Sequence, residues 1–569
     1  MSLPSRTERP WWRDAVTYQI YIRSFADSNG DGKGDVEGIR SRLPYLKTLG
    51  VDAIWITPWY PSPQMDHGYD VADYMDIEPD YGTLEQAKRL IDEAHALGIK
   101  FIIDIVPNHS SDKHKWFQEA LKAAPGSPER DRYVFRDGKG KDGELPPNNW
   151  QAIFGGPAWE RIIEADGKPG QWYLHLFAVE QPDFNWDNPV VREHFEEVLH
   201  FWLKLGVDGF RIDVAHGMIK EPGLPDELKS ADLLTAQKSP YFDQDGVHEI
   251  YRSWRLIFDS YPGDRMGVAE AWVSKESLPK YIRPDELANS FNFHFLDSKW
   301  DVKELRTNIT ESFELLTTTG APASWVLENH DVTRSVNRFD LGLRGGGVDT
   351  PEKRFGDVSK FDIKRGTKRA RAAALLMLAL PGGAYIYQGE ELGLREVADL
   401  QHEDLQDPIW FRNIVKKIQP VFMKREGKTI KGVAVVHTEK GRDGCRVPLP
   451  WTRAGKSFGF GSGGSHLPQP SWFADLAVDV QSADNDSTLT MYRSALALRQ
   501  KWQTTEDLEW IRTSNPEVVA FKRLNGWASF TNFRGVDFTL PKGRILMSSG
   551  PIKPGNKLPK ATTAWMVLE

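Results

Sequence analysis

The chain has 569 residues, 27% of them charged and 40% hydrophobic, which is the ordinary balance of a globular protein. Its formal net charge of −8 excludes the basic surface that a nucleic-acid or anionic-membrane partner requires. A single cysteine, Cys445, excludes an internal disulfide, and the N-terminal residues lack the apolar core of a signal peptide. The longest apolar run, 372–380, is too short to span a bilayer. We therefore expect a cytoplasmic protein with neither a membrane nor a nucleic acid as partner.

Short runs rich in β-branched and aromatic residues recur along the chain, and longer segments with helical spacing separate them. The predicted strands are 15–22, 52–57, 100–106, 209–214, 266–272, 289–293, 324–329 and 384–388. Helices are predicted between them, for example at 83–98, 190–206 and 368–380. Eight strands that alternate with helices predict an α/β fold, a (β/α)₈ TIM barrel.

Two intervals of this alternation are too long for simple loops. The interval 109–188 follows the third strand and is rich in Pro, Gly and polar residues, which indicates an inserted subdomain. The interval 389–487 follows the eighth strand, and the tail reads as short strands and turns. We therefore predict a barrel from 1–108 and 189–505 that includes the insertion 389–487, a subdomain at 109–188, and a C-terminal antiparallel β domain at 506–569.

The glycine stretch "GFGSGG" (459–464) matches the G-x-G-x-x-G spacing of dinucleotide sites. A dinucleotide site requires a strand before this stretch and a helix after it. Here "SHLPQP" follows, and its two prolines disfavour a helix. We predict a loop and no nucleotide cofactor.

Polar residues cluster where the predicted barrel strands end, which is where (β/α)₈ barrels carry their active sites. They are Asp66 to Asp70 after the second strand, Asp104 to His109 at the third, Arg211 and Asp213 at the fourth, Glu270 at the fifth, and His330 and Asp331 at the seventh. Metal binding is one explanation for such a cluster. However, no paired H-x-x-x-H or H-x-H occurs, and Arg211 would repel a cation beside Asp213.

A pair of carboxyl groups with separated pKa values is the second explanation. Arg211 is expected to lower the pKa of Asp213 and hold it ionised, as a nucleophile requires. Glu270 lies between Ala269 and Ala271, and apolar surroundings raise a carboxyl pKa, which suits a general acid. Such a pair is typical of glycoside hydrolases, and a retaining enzyme holds its two carboxyl groups roughly 5–5.5 Å apart.

These motifs resemble those of the α-amylase family of glycoside hydrolases (family 13), over nearly the whole chain. "DIVPNH", "GFRIDVAHG", "GVAEAW" and "ENHD" are similar to its four signature regions, in the expected order. "QPDFNW" (181–186) and "GRDGCRVPLPW" (441–451) resemble motifs of its oligo-1,6-glucosidase and α-glucosidase branch, with substitutions such as Phe184 and Gly444.

The resemblance implies a role for each matched residue. Asp213 would be the nucleophile, Glu270 the general acid and base, and Asp331 the residue that favours the distorted sugar ring. Asp66 and Arg446 would clamp the non-reducing end and make the enzyme exo-acting. The substrate-binding residues implied are Asp66, Tyr69, His109, Phe177, Gln181, Arg211, His330 and Arg446.

"DSNGDGKGD" (27–35) has EF-hand spacing, but Gly38 occupies the twelfth position, where an EF-hand carries Glu. It resembles a cation loop of the same branch, which implies one structural Ca²⁺ or Mg²⁺ and no cofactor for the chemistry. The implied ligands are Asp27, Asn29, Asp31, the carbonyl group of Lys33, and Asp35. A solvated Gly-Asp turn is the alternative.

The resemblance favours a retaining α-glucosidase that acts on small α-glucosides such as maltose, with transglycosylation as a side activity. Val214 after the nucleophile is associated with α-1,6 linkages in parts of the branch, whereas "AHG" resembles actinobacterial maltase-type sequences, so oligo-1,6-glucosidase is an alternative. A trehalose synthase or sucrose isomerase is another, since "NRFDLG" (337–342) is faintly similar to a sucrose-isomerase motif. A non-enzymatic transporter subunit is disfavoured, because all three acids are present.

Overall fold

The computed structural model describes residues 9–228, 239–345, 361–413, 418–425, 428–435 and 441–569. Its centre is an eight-stranded parallel sheet whose strands pair in the order β7-β8-β1-β2-β3-β4-β5-β6. The strands are β1 (Val16–Ile20), β2 (Ala53–Ile56), β3 (Lys100–Ile105), β4 (Gly209–Ile212), β5 (Met266–Ala269), β6 (Ala288–Ser290), β7 (Ser324–Val326) and β8 (Gly383–Tyr387). The predicted (β/α)₈ fold is confirmed, and each strand lies within one or two residues of its predicted start.

The barrel is weakest between β6 and β7, which have three residues each and share no ladder. The backbone N–H of Asn292 donates to the carbonyl oxygen of Ser324 at 3.2 Å, and the Ser324 hydroxyl contacts the side chain of Asn289. Side-chain and loop hydrogen bonds therefore replace strand pairing at this seam.

Helices cover the outside of the sheet, and local caps explain where they end. The helix Pro189–Leu205 begins after Asn188, whose side chain accepts from Val190 N, and ends at Gly206, which has a φ of 108°. The helix predicted from 368 begins five residues earlier, because Asp362 caps it through Arg365 N. The described α-helices are Val36–Ser41, Leu43–Leu49, Leu84–Ala96, Lys115–Lys122, Pro189–Leu205, Val247–Asp259, Leu278–Tyr281, Phe293–Leu296, Val302–Thr319, Ser335–Leu341, Ile363–Ala379, Pro408–Asn413, Phe473–Leu476, Val478–Ser482 and Thr488–Trp502. None of the helices in the described ranges is both long and apolar enough to cross a bilayer.

Antiparallel sheets lie outside the barrel in the described part of the chain. The interval predicted as an inserted subdomain contains a sheet of Phe135–Arg136, Trp159–Ile163 and Pro169–Leu174. Ile418–Arg425 pairs with Lys428–Val435 as a hairpin. The C-terminal part holds a five-stranded sheet of Glu509–Trp510, Val518–Lys522, Trp527–Asn532, Gly543–Ser548 and Thr562–Leu568, and a two-stranded one of Phe538–Thr539 and Lys557–Leu558.

Candidate active site

Backbone pairing carries the two central carboxyl groups to the mouth of the barrel. Asp213 directly follows β4, and its N–H donates to Ile105 O on β3 at 2.9 Å. Glu270 directly follows β5, and its N–H donates to Ile212 O on β4 at 2.9 Å. The sheet therefore fixes both residues at the same edge, side by side.

One guanidinium group connects the acids of this edge. Nη1 of Arg211 donates to Asp104 Oδ1 at 2.9 Å and contacts Asp213 Oδ1, and its Nη2 lies 3.6 Å from Glu270 Oε2. The group also lies over the ring of Trp55, 5.3 Å from its centroid. Arg211 is buried, so its charge acts on these carboxyl groups with little screening by water.

The expectation that Arg211 holds the pKa of Asp213 low is wrong, whereas the raised pKa expected for Glu270 is confirmed. Burial raises the pKa of Asp213 to about 8 although Arg211 opposes it, and burial also raises the pKa of Glu270. The pKa of Asp104 is raised to about 7 by burial, again against Arg211. Three buried carboxyl groups share one guanidinium, so the cluster retains protons near neutral pH and titrates as a unit.

Asp331 has the opposite electrostatic environment, although it lies on the same edge. Burial alone would raise its pKa, but His330 and the guanidinium groups of Arg442 and Arg446 outweigh burial and lower it. Arg442 Nη1 and Arg446 Nη2 contact Asp331 Oδ1 at 2.9 and 2.8 Å. Asp331 is therefore a permanent carboxylate, and its side chain is 29% exposed to the mouth.

His330 is held between aromatic rings beneath the site. Its ring stacks on Tyr69 at 5.4 Å with an interplanar angle of 6°, and on Tyr21 at 5.8 Å. Its Nδ1 lies 2.7 Å from Gln19 Nε2, and its Nε2 lies 2.8 Å from the Tyr69 hydroxyl. Burial lowers the pKa of His330 well below its usual value, so the ring is neutral at physiological pH.

The residues expected from the inserted interval meet the barrel residues. Gln181 Nε2 lies 3.2 Å from Asp66 Oδ2 and 3.1 Å from His109 Nε2. His109 Nε2 also lies 3.2 Å from the carbonyl oxygen of Tyr69, and the ring of Phe177 lies 5.1 Å from that of His109. The structure thus brings Asp66, Tyr69, His109, Phe177 and Gln181 together on one wall.

Arg442 is the arginine that contacts Asp66, whereas Arg446, expected to bind the non-reducing end together with Asp66, contacts Asp331. Arg442 Nη2 donates to Asp66 Oδ1 at 2.8 Å, while its Nε donates to Asp407 Oδ2 at 2.6 Å. Arg446 instead donates through Nε to His330 O at 2.8 Å, in addition to its contact with Asp331. A 3₁₀ turn at Asp443–Cys445 separates the two arginines and aims them at different partners.

Sequence reasoning missed Arg442, although it belongs to the quoted "GRDGCRVPLPW". It also missed Trp272, whose indole N–H donates to Glu270 Oε1 at 2.7 Å. The backbone N–H of Val214 donates to Glu270 Oε2 at 2.7 Å, from a left-handed conformation with a φ of 46°. Both Trp272 and Val214 lie within two residues of a catalytic candidate, but no residue pattern indicates where an N–H group points.

A buried lysine connects the inserted interval to the barrel behind His109. Lys220 Nζ lies 2.9 Å from Asp183 Oδ2 and 3.0 Å from Asn108 Oδ1. Asp183 also accepts from Leu176 N at 2.9 Å, and it forms an antiparallel bridge with His109. Asp183, the Asp of "QPDFNW", thus fixes the backbone on which His109 stands.

The predicted cation loop is closed by its own hydrogen bonds. Asp27 Oδ1 accepts from Asn29 N and Gly30 N, and Asp31 Oδ1 accepts from Lys33 N at 2.8 Å. Asp35 caps the following helix through Gly38 N. The side chains are oxygen donors of the type that hard cations prefer. Across the described ranges, however, no three His, Cys, Asp or Glu side chains converge as metal ligands.

The glycine stretch lies against this loop and has no helix after it. The backbone N–H of Asp27 donates to Phe460 O at 2.8 Å, and that of His466 donates to Gly32 O at 2.9 Å. A Cβ atom on Gly461 would lie 2.2 Å from Asp27 Oδ2. Glycine is therefore needed here for close packing of two loops, not for binding a pyrophosphate.

Comparisons with known proteins agree with this geometry. Residues 19–507 match the model of the α-amylase catalytic domain. The chain is 37% identical to an oligo-1,6-glucosidase of Parageobacillus thermoglucosidasius over 91% of this chain and 89% of that protein. It is also 37% identical to a probable alpha-glucosidase of Rhizobium meliloti, over 91% and 88% of the two chains.

The fold is similar to the crystal structure of trehalulose synthase MutB from Pseudomonas mesoacidophila MX-45, with a TM-score of 0.80. That similarity covers 98% of this chain and 99% of that one, at 30% identity. The sequence motifs, the barrel and the carboxyl cluster at its mouth agree with these matches, and the chain belongs to the α-amylase family of glycoside hydrolases.

Proposed function

We propose that the protein is a retaining, exo-acting α-glucosidase that releases terminal glucose from maltose and short malto-oligosaccharides. The observation that carries this proposal is the ion-pair bridge from Asp66 through Arg442 to Asp331. This bridge crosses the wall of the site beside the carboxyl cluster, and in this proposal it closes that side of the site behind one terminal sugar unit. Asp331 and Asp66 would accept hydrogen bonds from the hydroxyl groups of that sugar.

In the proposed mechanism Asp213 attacks the anomeric carbon while the bond to the leaving oxygen breaks and Glu270 gives that oxygen its proton. Water then enters, its oxygen bonds to the anomeric carbon as Glu270 takes a proton from it, and the bond between Asp213 and the sugar breaks. Both carboxyl groups contact the single guanidinium of Arg211, which supports the short separation of a retaining enzyme. Positive charge that develops at the anomeric carbon favours the ionised form of Asp213, so the shared proton rests on Glu270 when substrate is bound.

Oligo-1,6-glucosidase is the second candidate, because a similar protein carries that name. Val214, the residue associated with this preference, adopts its left-handed φ beside Glu270 and belongs to an apolar cluster with Leu176, Tyr241 and Phe242. It is therefore well placed to influence how the acceptor sugar lies.

Glucosyl transfer or isomerisation is the third candidate, and trehalulose synthase is a structural neighbour. The sequence basis for it is weak in the structure. Arg338 of "NRFDLG" is fully buried and donates to the carbonyl oxygens of Leu296, Ser298 and Leu327, so it supports the fold and does not face the acceptor.

A proton NMR time course with equal maltose and isomaltose tests the proposal. We expect maltose to disappear first and α-glucose to appear before mutarotation. Faster loss of isomaltose would establish the 1,6 preference, and new linkages with little free glucose would establish transfer. Initial β-glucose would contradict retention.

We also propose that the loop at 27–35 binds one Ca²⁺ or Mg²⁺ that stabilises the fold without entering the chemistry. Its oxygen donors support this, although Asp27, Asn29 and Asp31 must turn from backbone N–H groups toward the ion. Millimolar Ca²⁺ should raise the Tm of EDTA-treated protein by ligand linkage. Asp31→Asn should abolish the increase, and an identical Tm with and without Ca²⁺ would exclude the site.

A further inference from the structure

The carboxyl group of Glu270 accepts a hydrogen bond on each of its two oxygens. Trp272 Nε1 donates to Oε1 at 2.7 Å, and Val214 N donates to Oε2 at 2.7 Å. Arg211 Nη2 approaches Oε2 as well, at 3.6 Å. Two donors on opposite oxygens fix the plane of the carboxyl group, which one donor alone would leave free to rotate.

The donor at Oε2 is held rigidly by the backbone. Val214 is a β-branched residue with a φ of 46°, a conformation that costs free energy and persists only where surrounding contacts enforce it. Gly217 N donates to Val214 O, and Ala215 N donates to the carbonyl oxygen of Glu270, at 2.8 and 3.0 Å. The first bond closes the turn that contains Val214, and the second joins this turn to the backbone of Glu270.

The donor at Oε1 is held by aromatic stacking. The ring of Trp272 lies 3.9 Å from that of Phe293, with an interplanar angle of 8°. Phe293 is buried and follows β6, and Trp272 packs against the apolar cluster inside the barrel. The indole of Trp272, which follows β5, is therefore oriented by Phe293, which follows β6.

We propose that Trp272 is a positioning residue for Glu270, which directs Oε1 at the leaving oxygen and stabilises the carboxylate form needed in the second step. The proposal rests on the proposed function, in which Glu270 is the acid and base. An indole N–H can donate but cannot accept or release a proton at this pH, so Trp272 acts only through Glu270.

The charged groups that face Glu270 set the sign of the effect. They are Arg211, which favours its ionised form, and Asp213 and Asp331, which disfavour it. Burial raises the pKa of Glu270, and the N–H groups of Val214 and Trp272 oppose that rise. Removing the indole N–H should therefore raise the pKa further.

Trp272→Phe keeps an aromatic ring against Phe293 and removes the N–H donor. For maltose, we expect kcat/KM to fall about 10-fold. The basic limb of its pH–rate profile should move to higher pH by about one unit. For α-glucosyl fluoride, whose leaving group needs no proton, we expect a loss of less than about 3-fold.

Trp11→Phe is the matched control, because Trp11 Nε1 donates to Asp264 O at 2.7 Å, outside the site. It should leave both substrates and the pH profile unchanged. Phe293→Leu keeps the indole N–H but loosens its stack, and it should shift the basic limb in the same direction by a smaller amount. This second variant keeps the test available if Trp272→Phe does not fold.

The proposal would be overturned if, in both variants, kcat/KM fell equally for maltose and for the fluoride and the basic limb of the pH–rate profile did not move. That result is expected of a residue that only contacts the sugar. Glu270→Gln separates this failure from a failure of the proposed function. If Glu270→Gln hydrolyses maltose as well as wild type does, Glu270 is not the acid. If it loses maltose activity but still releases fluoride in a first-turnover burst while Trp272→Phe shifts nothing, only the role of Trp272 is wrong.

Discussion

The two ends of strand β4 carry the same residue in opposite electrostatic environments. Asp208 precedes the strand and Asp213 follows it, and their exposed fractions are 0% and 6%. Asp208 lies among His95, Lys100 and Arg265, at 2.6, 3.0 and 2.6 Å, and these partners lower its pKa although burial opposes them. Asp213 shares one guanidinium with two other acids, and burial raises its pKa to about 8.

The contrast shows how one barrel separates stability from chemistry. At the N-terminal end of the strand, cations outnumber the buried acid, so the charge stabilises the fold. At the C-terminal end, acids outnumber the cation, so the folded state favours the protonated form of these carboxyl groups. Such an excess reduces stability and is typical of a site whose groups must exchange protons with a substrate.

Asp213→Asn should have the largest effect, a loss of activity without a loss of stability. Removing the nucleophile should lower kcat/KM for p-nitrophenyl α-glucoside by at least about 10⁴-fold. The Tm should stay the same or rise, because an amide in the acid-rich cluster removes a carboxyl group that is costly to ionise. Steady-state kinetics and calorimetry on one preparation measure both, and a variant with near wild-type turnover would exclude Asp213 as the nucleophile.

Asp208→Asn is the same substitution five residues earlier and should have the reverse effect. It leaves the cations Lys100 and Arg265 around a neutral amide, so we expect the free energy of unfolding to fall by about 3 kcal/mol. Folded protein at low temperature should keep its kcat/KM within about 2-fold. Urea titration monitored by Trp fluorescence gives the stability, and an unchanged midpoint would show that this ion cluster contributes nothing.

Arg442→Lys tests the ion-pair bridge from Asp66 to Asp331 at the mouth of the barrel. Lysine keeps the charge but cannot contact Asp66, Asp331 and Asp407 with one forked group. We expect KM for maltose to rise about 10- to 100-fold with a smaller change in kcat, because a binding contact is lost. Arg453→Lys is the matched control, since Arg453 pairs with Asp475 on the surface, and both kinetic constants should then be unchanged. If KM rose as much in Arg453→Lys as in Arg442→Lys, the proposed role of Arg442 in binding the sugar would be contradicted.

The smallest expected effect is on the pH dependence of stability, to which the acids at the two ends of β4 should contribute with opposite sign. The pKa values of Asp213, Asp104 and Asp66 are raised to about 8, 7 and 6, so the folded state binds protons that the unfolded state has released. Their contribution to stability is fully present below about pH 4 and is lost as the pH rises through 6 to 8. Asp208 has a lowered pKa, so its contribution is present above its ordinary pKa and is lost only in acid.

We therefore expect the Tm of the wild type to fall by about 2–4 °C between pH 6 and pH 8. Asp213→Asn should reduce this slope, and Asp208→Asn should leave it unchanged. Calorimetric scans at four pH values measure the change of Tm with pH. If Asp208→Asn reduced this change and Asp213→Asn did not, the roles given to the two ends of β4 would be wrong.

The sequence predicted those features that depend on local pattern. All eight strands lie where short β-rich runs predicted them, although each ends one to three residues before its predicted end. The contact of Arg442 with Asp66 was missed, since Arg442 and Arg446 occupy one irregular turn and only tertiary contacts distinguish them. The pKa of Asp213 was wrong because it depends on Asp104 and Glu270, which neighbouring strands bring to the same guanidinium.

Covalent trapping tests the central claim most directly. A 5-fluoro-α-glucosyl fluoride has a good leaving group, and its ring fluorine slows both steps, so a glucosyl-enzyme should accumulate. Intact-mass measurement and peptide mapping should find one sugar, attached to Asp213, in wild type and in Glu270→Gln, and none in Asp213→Asn. No adduct on an enzyme that turns over maltose, or an adduct on another residue, would contradict a retaining mechanism through Asp213.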